Sequence, residues 1–397
     1  MDQRAKFLEE VQNNRASFTA ICRLFGISRQ TGYKWLRRWR ETRSLDELSR
    51  RPRRHPRTTP GVLVKRIIAL KKRYPLWGPV PIRAHLREQS PRSAWPAVST
   101  IGAILKRNGM VKPRRRRPRA APRTQPFAMC REPNDVWCVD FKGQFAMGDG
   151  RLCYPLTVMD AASRYLLACV ALHRPTLDSV RESFVELFKA YGVPTAIRTD
   201  NGEPFASTST AAGLTQLSAW WARLGIKLER IDPGKPQQNG RHERMHRTLK
   251  EATCSPPRRS LGWQQRAFDK FRMHYNEVRP HQALALETPH RLYKPSRRRY
   301  PEVLPDLYYP MAEVHCVRPD GTIAFRQRRQ FISTSLAGEH IGLYILDERY
   351  IEVRYGDNIL GLIDTRNDNI NPRVGLVRPR PPHRRRRSTR VSVMPLS

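Results

Sequence analysis

From residue 136 to residue 230 the spacing of apolar side chains changes period several times, and the order of the changes limits what the chain can fold into. Residues 136–145, 152–160 and 165–172 have the length and apolar content of strands, separated by the turn-forming Met147-Gly-Asp-Gly150 and Ala161-Ala-Ser163. Residues 177–191 then repeat at helical spacing, with Val180, Phe184, Leu187 and Phe188 on one side. A short strand at 195–199, a helix at 210–224, a strand at 227–230 and helices at 238–253 and 263–276 follow. Three meandering strands and then alternating helices and strands predict a mixed sheet covered by helices.

What flanks this region differs in kind. Residues 1–50 have helix-turn-helix grammar. Ala20, Ile21 and Leu24 are expected on an inner face, Gly26 in the turn, and Ser28 as the cap of the next helix. That helix would offer Arg29, Gln30, Tyr33 and Lys34 to a DNA groove while Trp35, Leu36 and Trp39 pack inward. A basic, proline-broken stretch, Arg50-Arg-Pro-Arg-Arg-His-Pro-Arg57, leads to a second helical unit over 61–112. Val64, Ile67, Ile68 and Leu70 mark its first helix, residues 82–86 its second, and a third is expected to start from a capping Ser99. Residues 113–129, with Arg114, Arg115, Arg116 and Arg117, form a basic linker able to lie along phosphates. After the central region at 130–295, residues 303–370 turn β-rich and suit a small barrel or sandwich, and 371–397 form a basic tail expected to be disordered. The fold class expected is therefore multidomain: all-α helix-turn-helix units, an α/β mixed-sheet core and a small all-β module.

The charge balance names the partner. Seventy-four Lys and Arg against 35 Asp and Glu leave a formal charge of +39, which favours a polyanion bound through counterion release. The 39% hydrophobic content supports real cores. Seven Cys without a C-x-x-C pair fit a reducing compartment and small apolar packing. No signal-like or membrane-length apolar run is present, so a cytoplasmic, nucleoid-associated protein is expected.

Three acids stand out against this basic background. Asp140 lies within the first expected strand, in Trp137-Cys-Val-Asp-Phe-Lys142, where an acid is costly to bury without a metal or other partner. Asp200 ends the strand before Asn201-Gly202, a common ligand position in α/β sheets. Glu243 opens a basic helix in Pro233-Gly-Lys-Pro-Gln-Gln-Asn-Gly-Arg-His-Glu-Arg-Met-His-Arg-Thr-Leu-Lys250. Gln238 and Asn239 would bring polar groups to a substrate, and Arg244, Arg247 and Lys250 repeat at helical spacing to track phosphates. Converging carboxylates suit Mg²⁺ or Mn²⁺, two ions in phosphoryl chemistry.

The contexts Val-Asp-Phe-Lys, Thr-Asp-Asn-Gly and Pro-Gln-Gln-Asn-Gly-Arg-His-Glu-Arg resemble the D-D-E motifs of integrase-like transposases from bacterial insertion sequences. Tyr275-Asn-Glu-Val-Arg-Pro-His-Gln-Ala-Leu284 with Thr288-Pro289 is similar to the segment that closes their core. The 42 residues between Asp200 and Glu243 exceed the spacing of many relatives. The resemblance implies a ribonuclease-H-like core, with Asp140, Asp200 and Glu243 as catalytic metal ligands. It also implies double-stranded DNA, as element ends and target, for the substrate. Because two ends must be joined, a homo-oligomer is expected.

Two other functions compete. A helix-turn-helix regulator without catalysis explains the charge and leaves the three acids unused. His242-Glu-Arg-Met-His246 also satisfies H-E-x-x-H, the zinc-protease pattern, with Glu277 a possible further ligand; the expectation is instead that both His lie near DNA or in solvent. Asp160 is expected to stabilise a turn with Arg164 rather than bind metal, and Asp135 and Asp149 to serve turns.

Overall fold

The computed structural model describes residues 3–14, 16–44, 46, 58–111, 130–207, 210–231 and 240–365. Arg114 to Arg117, Gln238, Asn239 and the tail at 371–397 lie outside the described residues. Two compact units divide the chain, residues 1–60 and 61–397.

In the first unit, α1 (Gln3–Asn13), α2 (Phe18–Leu24) and α3 (Arg29–Thr42) close on Phe7, Ile21 and Cys22, with Phe18, Phe25, Ile27 and Trp35 packed around them. Ser17 and Ser28 cap α2 and α3 by accepting from the backbone N–H of Ala20 and Thr31. Gly26 takes φ +65° in the turn between them, as its position in the sequence demands. Two details depart from expectation: Leu24 is 76% exposed and Ala20 is also outside, because Cys22 and Phe25 fill the inner face instead.

The second unit begins with α4 (Gly61–Arg73), α5 (Pro79–Gln89) and α6 (Val98–Arg107), packed on Ile67, Trp77, Ile82, Trp95, Ile101 and Leu105. Helix α6 starts two residues earlier than the Ser99 cap implies: its N-cap is Ala97, with no capping side chain. These helices sit against the closing segment of the core, where Tyr74 stacks near His274 and Arg291 pairs with Glu88.

The central sheet contains β1 (Val136–Phe141), β2 (Phe145–Ala146), β3 (Leu152–Asp160), β4 (Leu166–Leu172), β5 (Ala196–Thr199) and β6 (Lys227–Arg230). Strands β1, β3 and β4 pair antiparallel, whereas β1, β5 and β6 run parallel. This is the ribonuclease-H-like mixed sheet expected from the sequence. Crossovers through α7 (Leu177–Tyr191) and α8 (Gln216–Arg223) make the parallel pairing possible.

Both faces are covered, so β3 and β4 are apolar almost throughout. On one face Trp137, Val139, Leu156 and Val158 meet Phe184 and Phe188 of α7 and Leu217 and Trp221 of α8. On the other, Cys153, Met159, Leu166 and Cys169 meet Met245 and Leu249 of α9 (Gly240–Leu249) and Phe268 and Phe271 of α10 (Leu261–Met273). Each of these helices ends in a π-helical stretch, at Lys250–Cys254 and His274–Val278. Asn276 closes the edge of β4, its amide donating to the Leu166 carbonyl while its oxygen accepts from the Leu166 N–H. After the short α11 (Pro289–Leu292) comes the β-rich module.

That module is a four-stranded antiparallel sheet of β7 (Glu313–Cys316), β10 (His340–Ile345), β11 (Tyr350–Tyr355) and β12 (Asn358–Asp364), with a hairpin of β8 (Thr322–Phe325) and β9 (Arg328–Phe331). Its core includes Leu214, Ala219 and Ala222, so it is built onto the flank of α8 rather than standing alone. Among the described residues no helix is long and apolar enough to cross a membrane.

Gly32 in α3 faces Cys22 Sγ and Phe18 Cζ, each 2.9 Å from where a Cβ would stand, and Phe7 Cζ at 3.0 Å. Alanine normally gains about 1 kcal/mol over glycine inside a helix. Here three converging side chains reverse the sign, and Gly32→Ala is expected to cost the first unit about 1–3 kcal/mol. Hydrogen exchange of residues 3–42 in the intact chain measures this; unchanged or slower exchange contradicts it.

Candidate metal and nucleic-acid site

Strand register decides where the first two acids lie. Strands β1 and β5 pair in parallel as Val136 with Ala196, Trp137 with Ile197 and Cys138 with Arg198. Extended by two residues, this register would bring Asp140 next to Asp200, and the charge of Asp200 does act on the Asp140 carboxyl. Asp200 follows the last residue of β5 and bends its carboxylate back to accept from the Gly202 N–H at 3.1 Å. Asn201 fixes that turn by donating to the Ile231 carbonyl at 2.6 Å. Below them, Arg198 is buried and satisfied by Glu229 at 2.8 Å.

Helix α9 brings the third acid. Glu243 is in its first turn and exposed, and its charge reaches Asp140. Burial first, then the neighbouring charges of Asp200 and, more weakly, Glu243 push the Asp140 carboxyl up to about 7, against the lowering pull of the Phe141 N–H and Lys142. The three acids singled out in the sequence thus share one electrostatic neighbourhood. Carboxylates so placed repel one another, and a divalent cation among oxygen donors relieves that repulsion, so the residues present fit Mg²⁺ or Mn²⁺.

The inner face of α9 was not anticipated. His242 and His246, expected near DNA or in solvent, are 0% and 6% exposed. Both place Nε2 on the hydroxyl of Thr157, at 2.6 and 2.7 Å, and that hydroxyl donates to the Asp140 carbonyl at 2.9 Å. His246 Nδ1 is 3.7 Å from Asp140 Oδ2. Burial holds both imidazoles neutral, down at about 3 for His242 and about 2 for His246. A sequence signal existed: His242, Met245, His246 and Leu249 recur at intervals of three and four, the spacing of a buried helical stripe. Thr157, the polar interruption in β3, had none that distinguished it.

Other expected roles sort as follows. Arg244, Arg247 and Lys250 are exposed on the outer face of α9, and Arg29, Gln30, Tyr33 and Lys34 are exposed on α3, although the Tyr33 ring also lies against Phe18 at 4.3 Å. Asp160 is fully buried and serves a turn: its carboxylate accepts from the Asn134 N–H and from the Ser163 N–H and hydroxyl, and its backbone carbonyl accepts from the Arg164 N–H at 3.0 Å. Asp135 and Asp149 accept from nearby backbone N–H groups, as turn residues do. Five of the seven Cys are buried among apolar side chains; Cys316 is exposed.

The integrase core domain family matches residues 131–236 and, through a second description of the same domain, residues 224–289. Helix-turn-helix and homeodomain-like families match residues 3–55 and 31–105. The chain is similar to proteins of bacterial insertion elements. It is 29% identical over 175 residues to an uncharacterized 31.7 kDa protein of insertion element IS407 from Burkholderia multivorans, covering 44% of this chain and 60% of that one. It is 29% identical over 172 residues to an uncharacterized 39.2 kDa protein of insertion element IS476 from Xanthomonas euvesicatoria, covering 43% of this chain and 47% of that one. The chain therefore spans about half to three-fifths of the length of these relatives. The catalytic core of HTLV-2 integrase in complex with magnesium superposes with a TM-score of 0.32 at 17% identity, covering 41% of this chain and 98% of that one, too distant to bear on function.

Should Asp140 hold a divalent cation, protons would compete with it for the carboxylate, and divalent affinity is expected to rise up to about tenfold per pH unit until about pH 7 and then level off. The same raised carboxyl means the folded state binds the extra proton. Without cation, the contribution of Asp140 to stability is fully present below the ordinary 3.8 and is lost as pH rises through about 7. Calorimetric titration and thermal melts check both arms, and Asp140→Asn should flatten the melt profile. A pH-independent affinity contradicts the assignment.

Proposed function

We propose that the chain is a transposase that binds the ends of an insertion element, cuts them and joins them to target DNA. The observation that carries this reading is the Asp140–Asp200 pair at the ends of parallel strands, with Glu243 acting on it from α9. These three would hold Mg²⁺ or Mn²⁺, which supplies charge stabilisation and an acidified oxygen nucleophile. Held apart by fixed elements, the carboxylates orient one phosphodiester for in-line attack. Water first opens the bond at the element end and leaves a 3′-hydroxyl, which then attacks a target phosphodiester, one P–O bond forming as another breaks.

The remaining residues bind rather than react. Arg244, Arg247 and Lys250 line the outer face of α9, beside Glu243, and would neutralise phosphates approaching the acids. Gln238 and Asn239, just ahead of this helix, would contact the DNA near the cleavage point. The α3 residues Arg29, Gln30, Tyr33 and Lys34 would read element ends in a major groove, and Arg114 to Arg117 would follow the backbone between sites. Two ends must meet for joining, so a homo-oligomer is the expected working form, acting on chromosomal DNA inside the cell.

Asp140→Asn is expected to abolish joining of labelled element-end oligonucleotides, by at least about 100-fold, while leaving end binding intact. Asp200→Asn and Glu243→Gln should behave alike. Joining preserved in any of these variants overturns the reading, whereas end binding without joining in the unaltered chain returns the function to a DNA-binding regulator.

A further inference from the structure

Hydrogen-bond accounting around Thr157 fixes the state of both histidines. A hydroxyl has one proton to donate and two lone pairs with which to accept. The Asp140 carbonyl can only accept, so the contact at 2.9 Å takes the Thr157 proton. Both Nε2 atoms, at 2.6 and 2.7 Å, must then donate to Thr157 Oγ1. Each imidazole is consequently the neutral Nε2–H tautomer, with a bare lone pair on Nδ1.

Among the described residues no hydrogen bond reaches those lone pairs. His242 Nδ1 is buried without a partner among the described residues, in a residue that is 0% exposed. His246 Nδ1 faces Asp140 Oδ2 at 3.7 Å, beyond hydrogen-bond reach. One ligand atom from each of Asp140, His242 and His246 lies within 4.8 Å of the other two. Ligands of a single tetrahedral Zn²⁺ lie about 3.4 Å apart, so small side-chain adjustments close this set around an ion. Metal-bound imidazoles characteristically donate their second N–H to an oxygen that locks ring and tautomer, and Thr157 does this for both rings at once.

From these contacts we infer that Asp140, His242 and His246 form a transition-metal site of two nitrogens and one oxygen, on the sheet side of α9. Its donor set selects Zn²⁺, Cu²⁺ or Ni²⁺ over Mg²⁺ and Mn²⁺, because imidazole is a good ligand for the first three and a poor one for the oxygen-preferring ions. Asp140 is the only residue it shares with the carboxylate cluster, and Asp200 and Glu243 take no part. The i, i+4 histidine pair that matches a zinc-protease pattern thus finds its third ligand on β1, not further along its own helix.

The test uses the full, untagged chain with one equivalent of Cu²⁺, an imidazole-preferring ion, followed by electron spin-echo modulation. Nitrogen coupling is expected, and it should change pattern when the chain is labelled with ¹⁵N-histidine, a measurement that needs no substitution. The coupling should vanish in His242→Asn/His246→Asn, persist in Asp200→Asn, and Thr157→Val should weaken Zn²⁺ affinity by about 10–100-fold. Absence of histidine nitrogen coupling in the unaltered chain, or its survival in the double variant, overturns the inference and leaves the pair as a clamp on Thr157. The proposed DNA chemistry stands or falls separately: loss of joining in Asp200→Asn with coupling intact supports both, and joining retained in Asp200→Asn with coupling intact sinks only the chemistry.

Discussion

Everything in the core depends on the parallel pairing of β1 with β5. That register, and no local motif, brings Asp140 within electrostatic reach of Asp200 after a separation of sixty positions in the chain. Repulsion between them works against the fold, and burial raises the cost, as the upward shift of Asp140 to about 7 records. The pairing persists because it is set by apolar neighbours: Trp137, Val139 and Ile197 are each buried to within 1% and pack against α7 and α8. The charge is held on the opposite face, at the rim of the second apolar core that α9 and α10 close.

Helix α9 joins the two requirements. Its inner stripe packs Met245 and Leu249 into the second core and docks His242 and His246 on Thr157. Its outer face carries Glu243, Arg244, Arg247 and Lys250 into solvent. One rigid element therefore fixes the third acid relative to the sheet and brings basic side chains to the same edge. The Thr157 hydroxyl ties helix, β3 and the Asp140 carbonyl into a single chain of hydrogen bonds, so the helix cannot shift without disturbing the strand that holds the first acid.

Much of this was legible in the sequence, for identifiable reasons. Helix α7 falls on the residues marked by Val180, Phe184, Leu187 and Phe188, because a helix covering a sheet needs one continuous apolar stripe. The strands after it follow from short β-branched and apolar runs between turn residues. The three acids stood out because isolated carboxylates among apolar and basic neighbours demand a reason. The histidine pair misled, since its flanking arginines advertise solvent while the rings themselves follow the buried stripe of Met245 and Leu249. The Leu24 error has a similar source: a short helix contacts its neighbours along too narrow a face for every apolar residue to be inside. The β-rich module was visible as strands, but its seating on Leu214, Ala219 and Ala222 depends on contacts more than a hundred residues apart, which no local pattern encodes.

Crystals of the chain bound to an element-end duplex and soaked in Mn²⁺ offer the most direct test, through an anomalous difference map. A peak within coordination reach of carboxylate oxygens from both Asp140 and Asp200 is the predicted result. Anomalous density confined to other sites, with the two carboxylates separated or turned away from each other, would contradict the account.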